Sequence, residues 1–379
     1  MLTMNFVFYT HSIVSDWNHG NAHFQRGIIR ELIARGNHAL ALEPADGWSR
    51  SNLLSEQGPF AVERFRKDFP ELIPVTYNAF FDHEAWIADA DAVIVHEWTD
   101  PDLVARIGRA KLNGGKFTLL FHDTHHRAVS ATHSIAALSL QHYDGVLVFG
   151  EALRESYLRA GWGRRAFTWH EAADERLFKP FPEIDRVSDL VWIGNWGDDE
   201  RSAEIQEFLI EPTRNLGLSG SVHGVRYPAQ ARKALADAGL SYEGWIANAD
   251  VPKSFARHRV TMHIPRRPYR DHLPGIPTIR MFEALACGIP LVSAPWSDVE
   301  GLFRPGKDFL FARDGAEMQR HLRDVLHEAG LARALAASGL ETILARHTCR
   351  HRVSQLLEIL AACGNRNALE GKPAREAAA

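Results

Sequence analysis

Arg280-Met281-Phe282-Glu283-Ala284-Leu285-Ala286-Cys287-Gly288-Ile289-Pro290-Leu291-Val292-Ser293 reads as a helix that stops at a glycine and hands over to a buried strand. Gly288 stands where a helix end favours a residue free to take positive φ, and Pro290 cannot continue a helix. The apolar run at 291–293 then has the character of a parallel strand covered on both faces. Helix, tight stop and buried strand together form the repeating unit of a parallel α/β sheet.

The unit recurs in both directions. Strand-like runs at 189–193, 219–223, 241–243 and 260–264 precede it, and 308–312 follows, with helical periodicity at 278–286 and 317–328. Lys179-Pro180-Phe181-Pro182 reads as a linker, because each proline disfavours helix in the residue before it. Ahead of the linker runs a second series of strands, at 5–10, 38–42, 92–96, 116–121, 145–149 and 166–169. In the helix predicted over 22–35, Phe24, Ile28, Ile29, Leu32 and Ile33 share one face before a stop at Gly36. Segments 102–111 and 152–160 look similar. The expected organisation is an α/β protein with domains at 1–178 and 179–348. Residues 349–379 are expected to add a C-terminal helix and a tail that frays beyond about Gly364.

Composition narrows the function. A chain of 379 residues with 45% apolar and 24% charged residues suits two globular domains. A net charge of −4 offers no basic field for nucleic acid. Three widely spaced cysteines, Cys287, Cys349 and Cys363, argue against a disulfide framework and for a reducing compartment. No leader-like segment and no apolar run of about 20 residues is present, so the expectation is a cytoplasmic protein, with peripheral membrane contact left open.

The 280–293 segment resembles the nucleotide-sugar-binding segment of retaining GT-B-fold glycosyltransferases, whose pattern is Phe/Leu-Glu-Ala-x-Ala-x-Gly-x-Pro-Val-Val. Within that group the chain looks closest to the CgeB-like, spore-maturation-type enzymes. Gly275-Ile276-Pro277-Thr278-Ile279-Arg280, Ile193-Gly194-Asn195-Trp196-Gly197 and Tyr242-Glu243-Gly244-Trp245 support the resemblance. It covers nearly all of 180–350 and, less specifically, the first half. It implies two Rossmann-like domains facing across a cleft, a nucleoside diphosphate sugar as donor, and neither cofactor nor metal.

In that family the glutamate matching Glu283 hydrogen-bonds the donor ribose, a role a carboxylate fills well by accepting from two hydroxyls. A solvated helix glutamate is the plain alternative. The family's second glutamate, eight positions earlier, is here Gly275, whose N–H can still approach a sugar or phosphate. Gly275 and Thr278 therefore join the expected donor site. Candidates for the diphosphate are Arg201, Arg266, Arg267 and Arg280, with backbone donors from the Gly194-Asn195-Trp196-Gly197 loop. Arginines more often pair with surface carboxylates, and Arg280 lies one helical turn from Glu283.

In the first half, Asn18-His19-Gly20-Asn21 leads into a helix, and the resemblance places that loop near donor phosphate and acceptor. An ordinary βα turn with an asparagine cap explains it equally well. Phe121-His122-Asp123-Thr124-His125-His126 follows a predicted strand and resembles the family's His-Asp or His-Thr segment. That makes His122, with Asp123, the expected catalytic residue. Three histidines within five positions also suit a metal, but neither cysteine nor glutamate accompanies them. His170, Glu171 and Asp174 lie in the expected crossover between domains, where they either face the cleft or satisfy backbone.

The expected function is transfer of a sugar, of the hexosyltransferase type, from a nucleoside diphosphate sugar to an acceptor hydroxyl, with retention and without metal. The alternatives are a nucleotide-sugar epimerase of the same fold, or a non-catalytic binding or assembly protein.

Overall fold

The computed structural model describes residues 3–18, 20–365 and 367–368. The chain divides into two compact units. Of the described residues, one unit comprises those within 3–15, 25–170 and 349–368, the other those within 16–24 and 171–348.

The first unit carries β1 (Asn5–Tyr9), β2 (His38–Pro44), β3 (Val75–Tyr77), β4 (Ala92–His96), β5 (Thr118–Asp123), β6 (Gly145–Val148) and β7 (Ala166–Thr168). They form one parallel sheet in the order β3-β2-β1-β4-β5-β6-β7. The second unit carries β8 (Ser188–Ile193), β9 (Gly220–His223), β10 (Leu240–Gly244), β11 (His258–His263), β12 (Leu291–Ser293) and β13 (Leu310–Phe311). These too are parallel, in the order β10-β9-β8-β11-β12-β13. Both units are Rossmann-like, and in each the strand order reverses once: between β1 and β4, and between β8 and β11. Ligands of such sheets bind beyond the carboxyl ends of the strands at the reversal.

The cores follow from the strand composition. Every residue of β4 is buried, as is the Leu119–Phe121 run of β5. In the second unit Leu190, Trp192, Val222, Val260, Met262 and Val292 pack into one apolar cluster. The helix Ile279–Ala286 buries all of its residues but Arg280, and Gly288 takes φ +62° just beyond its end.

The unit boundaries differ from the expected ones. The chain passes from first to second unit at 170/171 and returns at 348/349. Backbone pairing explains both points. Ala173 bridges Thr348 and donates to the His347 carbonyl at 3.0 Å, tying both to the second unit. Trp169 Nε1 donates to the Arg352 carbonyl and Arg352 Nε to the His170 carbonyl, each at 2.9 Å, in the first. The helix Cys349–Ala362 buries Val353, Leu356 and Leu360, so it is part of that unit's core. Of the tail, Asn365 donates to the Asp91 carbonyl at 2.8 Å and Ala368 is buried; 369–379 lie outside the described residues.

Two further differences bear on the site. The strand expected at 116–121 runs Thr118–Asp123, because His122 pairs with His96 of β4 and Asp123 with Val148 of β6. His122 and Asp123 therefore end the strand instead of following it. The three-residue edge strand β3, none of it fully buried, carries too little apolar signal to be expected from sequence.

Candidate functional site

At the strand reversal of the second unit the loop after β8 is shaped by glycine. Gly197 takes φ +81° and Asp198 φ +49°. Gly224 lies so close that a Cβ there would stand 2.1 Å from the Gly194 carbonyl oxygen. This loop leads into Arg201, whose Nη1 donates to the Ile264 carbonyl beyond β11 at 3.1 Å and whose Nη2 donates to the Asn195 carbonyl beyond β8. The guanidinium thus spans the two strand ends that flank the reversal, over the Trp192 ring at 5.1 Å. It is 8% exposed, and no carboxylate pairs with it among the described residues. Burial, then repulsion from Arg266, pulls its pKa down to about 10, which leaves it charged at neutral pH. Its Nε meets no partner.

The other candidate arginines are neutralised within the protein. Arg266 pairs with Glu200 at 2.6 Å, Arg267 lies 3.6 Å from Glu204, and Arg280 pairs with Glu283. A buried cation with only carbonyl acceptors is the exception among them, and an anion is what would complete it.

Glu283 is fully buried, and both of its oxygens are held. Oε2 accepts from Arg280, and Oε1 lies 2.7 Å from His23 Nδ1. The other nitrogen of His23, Nε2, lies 3.0 Å from the Asp174 N–H, which can only donate. Nε2 is therefore the acceptor, and Nδ1 carries the proton given to Glu283. The His23 ring stacks on Phe178 at 4.1 Å between centroids.

The whole segment Asp16–Phe24 is fastened to the second unit in this way. The Asp16 carboxylate accepts from Trp245 Nε1 and the Asn248 N–H, both at 3.0 Å. Asn18, at φ +48°, accepts from the Asn195 amide, and Asn21 donates to Glu171 at 3.1 Å. Gly20 lies against Ile279, where a Cβ would come within 3.2 Å of its side chain. His19 lies outside the described residues. Of the expected crossover residues, Asp174 also holds Arg176 at 2.9 Å.

Gly275, at φ +88°, donates its N–H to the Ser297 carbonyl at 2.7 Å. A Cβ on it would stand 2.7 Å from Glu300 Oε1. A carboxylate thus does occupy this place, supplied from 25 positions further along the chain. Thr278 opens the helix Ile279–Ala286 without a side-chain capping bond. Two residues absent from the sequence reading complete this end of the sheet. His263 closes β11; its Nδ1 lies 2.9 Å from Ser293 Oγ, whose own proton goes to the Ala294 carbonyl at 2.8 Å. Burial and then Arg201 hold its pKa down at about 3, so His263 is neutral and its buried Nε2 offers a lone pair. Trp296, 5% exposed, stands edge-on to that ring at 6.0 Å with its Nε1 lacking a partner. Neither residue sits in a motif; only the strand ends point to them.

In the first unit His122 and Asp123 are buried. His122 faces His96 at 5.7 Å and Trp169 at 4.9 Å between ring centroids, and desolvation drives its pKa far down. Asp123 accepts from the Tyr157 hydroxyl at 2.7 Å and the His125 N–H at 2.9 Å. Burial and the nearby Glu97 raise its pKa to about 7, and burial does the same for Glu97. His96 Nε2 lies 2.8 Å from Glu97 Oε2, and Thr124 donates to Glu97 Oε1 at 3.2 Å. Of the segment's three histidines, His125 is partly exposed, whereas His122 and His126 are buried.

The buried acids set a pH dependence. An unfolded carboxyl releases its proton near pH 4, whereas these hold theirs to about 7. Their contribution is complete below about pH 4 and is lost as pH rises through about 7. Glu97→Gln should remove part of that loss, so its stability relative to the unsubstituted protein rises by roughly 2 kcal/mol between about pH 5 and pH 8. Melting temperatures across that range check this; parallel curves for the two proteins would contradict it.

Among the described residues no group of three or more His, Cys, Asp or Glu could hold a metal ion, all three cysteines are free thiols, and no helix is long and apolar enough to cross a membrane.

Comparison with known proteins places this geometry on a familiar fold. Residues 201–358 match the family model described as glycosyl transferase-like. No curated protein sequence matches the chain significantly. Among solved structures, sucrose-phosphate synthase from Thermosynechococcus elongatus is similar at TM-score 0.65 and 14% identity, covering 95% of this chain and 98% of that one. HepE of Anabaena, solved with UDP and glucose, gives 0.64 at 15% identity, covering 95% of this chain and 100% of HepE. The β-glucosyltransferase of T4 phage, solved with its UDP-glucose substrate, gives 0.61 at 12%, covering 94% and 98%. These likenesses establish the GT-B fold. The chain thus has the GT-B fold, and its residues 201–358 carry a glycosyl transferase-like domain.

Proposed function

We propose that the protein is an enzyme that transfers a sugar from a nucleoside diphosphate sugar to an acceptor hydroxyl, with retention and without a metal. The observation that carries this reading is Arg201, a buried cation that spans the strand reversal and has no carboxylate partner. A diphosphate supplies the missing charge, and a guanidinium fork matches its oxygens. As the sugar–phosphate bond breaks, negative charge grows on the leaving diphosphate, and a fixed buried cation stabilises that charge without reorganising. The uncapped start of the Ile279–Ala286 helix supplies further N–H donors.

Glu283 serves here as a positioning residue that locks His23 and Arg280. Binding of ribose by Glu283 itself, which the family resemblance implies, requires one of those two partners to yield. Glu300 answers the missing glutamate at 275 and favours catalysis over a purely structural scaffold. His263 and Trp296 offer an acceptor and a donor for donor hydroxyls or base. UDP is the first nucleotide to test, because the HepE and T4 phage structures were solved with UDP or UDP-glucose.

Incubation with UDP-glucose and other nucleotide sugars tests the reading. Release of the nucleoside diphosphate, slow with water and faster with an acceptor, is expected from one donor. An isomerised donor, or binding without release, would replace it with the epimerase or scaffold reading.

A further inference from the structure

The first unit has a strand reversal of its own, between β1 and β4, and an unusual set of side chains stands beyond it. Trp48 follows β2, His11 follows β1, Trp98 follows β4 and His125 follows β5. Their rings line up in the spatial order of the strands, with centroids 6.2 Å from Trp48 to His11, 6.0 Å from His11 to Trp98 and 5.4 Å from Trp98 to His125. The spacing tracks the roughly 4.8 Å between neighbouring strands. Trp48 is 47% exposed and Trp98 45%. Two half-exposed indoles in one row are costly to leave in water, and aromatic patches rimmed by polar groups mark binding surfaces.

Two members of the row have contacts that hold them in place. The Arg127 guanidinium lies 3.9 Å over the Trp98 ring and donates to the Glu97 carbonyl at 2.6 Å. The buried Asp123 fixes the His125 backbone. Burial first, then the neighbouring His96 and Arg127, keeps the His11 pKa down at about 4, so His11 is uncharged at neutral pH.

We propose that this row is the acceptor platform and that the acceptor is a saccharide, stacked along Trp48, His11, Trp98 and His125. A sugar ring offers a C–H face to the aromatic faces and a rim of hydroxyls to imidazole, guanidinium and the Thr124 hydroxyl. An aliphatic chain would favour an unbroken apolar surface, which two histidines interrupt here. A peptide added as an extra strand would require an unpaired edge, and β1, β2, β4 and β5 are each paired on both sides. The proposal rests on the sugar-transfer reading for the reaction that the bound hydroxyl undergoes, but not for binding itself.

The test is saturation-transfer NMR on the whole protein with maltotriose, cellotriose, chitotriose and decanol as probes, alongside the UDP-induced shift in melting temperature. At least one trisaccharide is expected to bind through its C–H protons, and decanol is not. Trp48→Ala and Trp98→Ala should each weaken that binding at least about tenfold, with the Phe variants retaining most of it and the UDP shift unchanged in all four. Binding of no trisaccharide at millimolar concentration, or unchanged affinity in both alanine variants, overturns the platform. Saccharide binding that needs the two indoles, without any UDP shift, sustains the platform and overturns the donor site instead.

Discussion

Replacing Glu283 by alanine should lower stability by about 3–5 kcal/mol, the cost of breaking a buried charge pair from one side. The substitution leaves the Arg280 guanidinium and the His23 Nδ1–H without their acceptor, and His23 in turn positions the Asp174 N–H and the Phe178 ring. Glu283→Gln should lose less, since an amide oxygen still accepts from one of the two. Urea unfolding of both variants checks the ordering. A loss below about 1 kcal/mol for alanine would mean that the clamp between segment 16–24 and the Ile279–Ala286 helix contributes little.

Arg201→Met should behave in the opposite way: stability within about 1 kcal/mol of the parent, but nucleoside diphosphate affinity reduced about 30- to 1000-fold. The stability expectation follows because removing an uncompensated buried charge relieves a desolvation cost and offsets the two carbonyls left without Arg201. The affinity expectation equals roughly 2–4 kcal/mol, the range for deleting one side of a desolvated ion pair. Calorimetric titration with UDP, beside Arg266→Met as the partnered control, separates the two arginines. Equal losses at both positions would remove the special place of Arg201.

Much of the fold was legible because strands buried on both faces leave continuous apolar runs, as in the Leu190–Ile193 stretch of β8 and all of β4. Gly288 and Pro290 placed the junction between helix and strand by backbone chemistry alone. The edge strand β3 was not legible, since three half-exposed residues carry no pattern. Nor were the crossings at 170/171 and 348/349, which depend on pairings such as Ala173 with Thr348 that join residues 175 apart.

For the site, the sequence puts Arg201 and Arg266 ahead of Arg267 and Arg280 but cannot separate the two. Arg201 and Arg266 differ in whether a carboxylate stands within reach, and Glu200 reaches only the second. The glycine at 275 read as a loss because Glu300, which lies over it, belongs to a separate loop. His122 stands out in the sequence through its resemblance to the family's His-Asp segment; that it lies inside the strand, paired with His96, shows only in the register of β5 with β4 and β6. The aromatic row escaped notice for a related reason: its four rings come from four loops, and only the strand order aligns them.

The central claim is that the carboxyl end of the second unit's sheet holds a nucleoside diphosphate. Amide hydrogen exchange of the whole protein, with and without saturating UDP, tests it most directly. Slower exchange is predicted in peptides covering 194–201, 263–267 and 275–283, and in 16–24, which is fastened to them. Protection confined to other segments while UDP is bound would contradict the account.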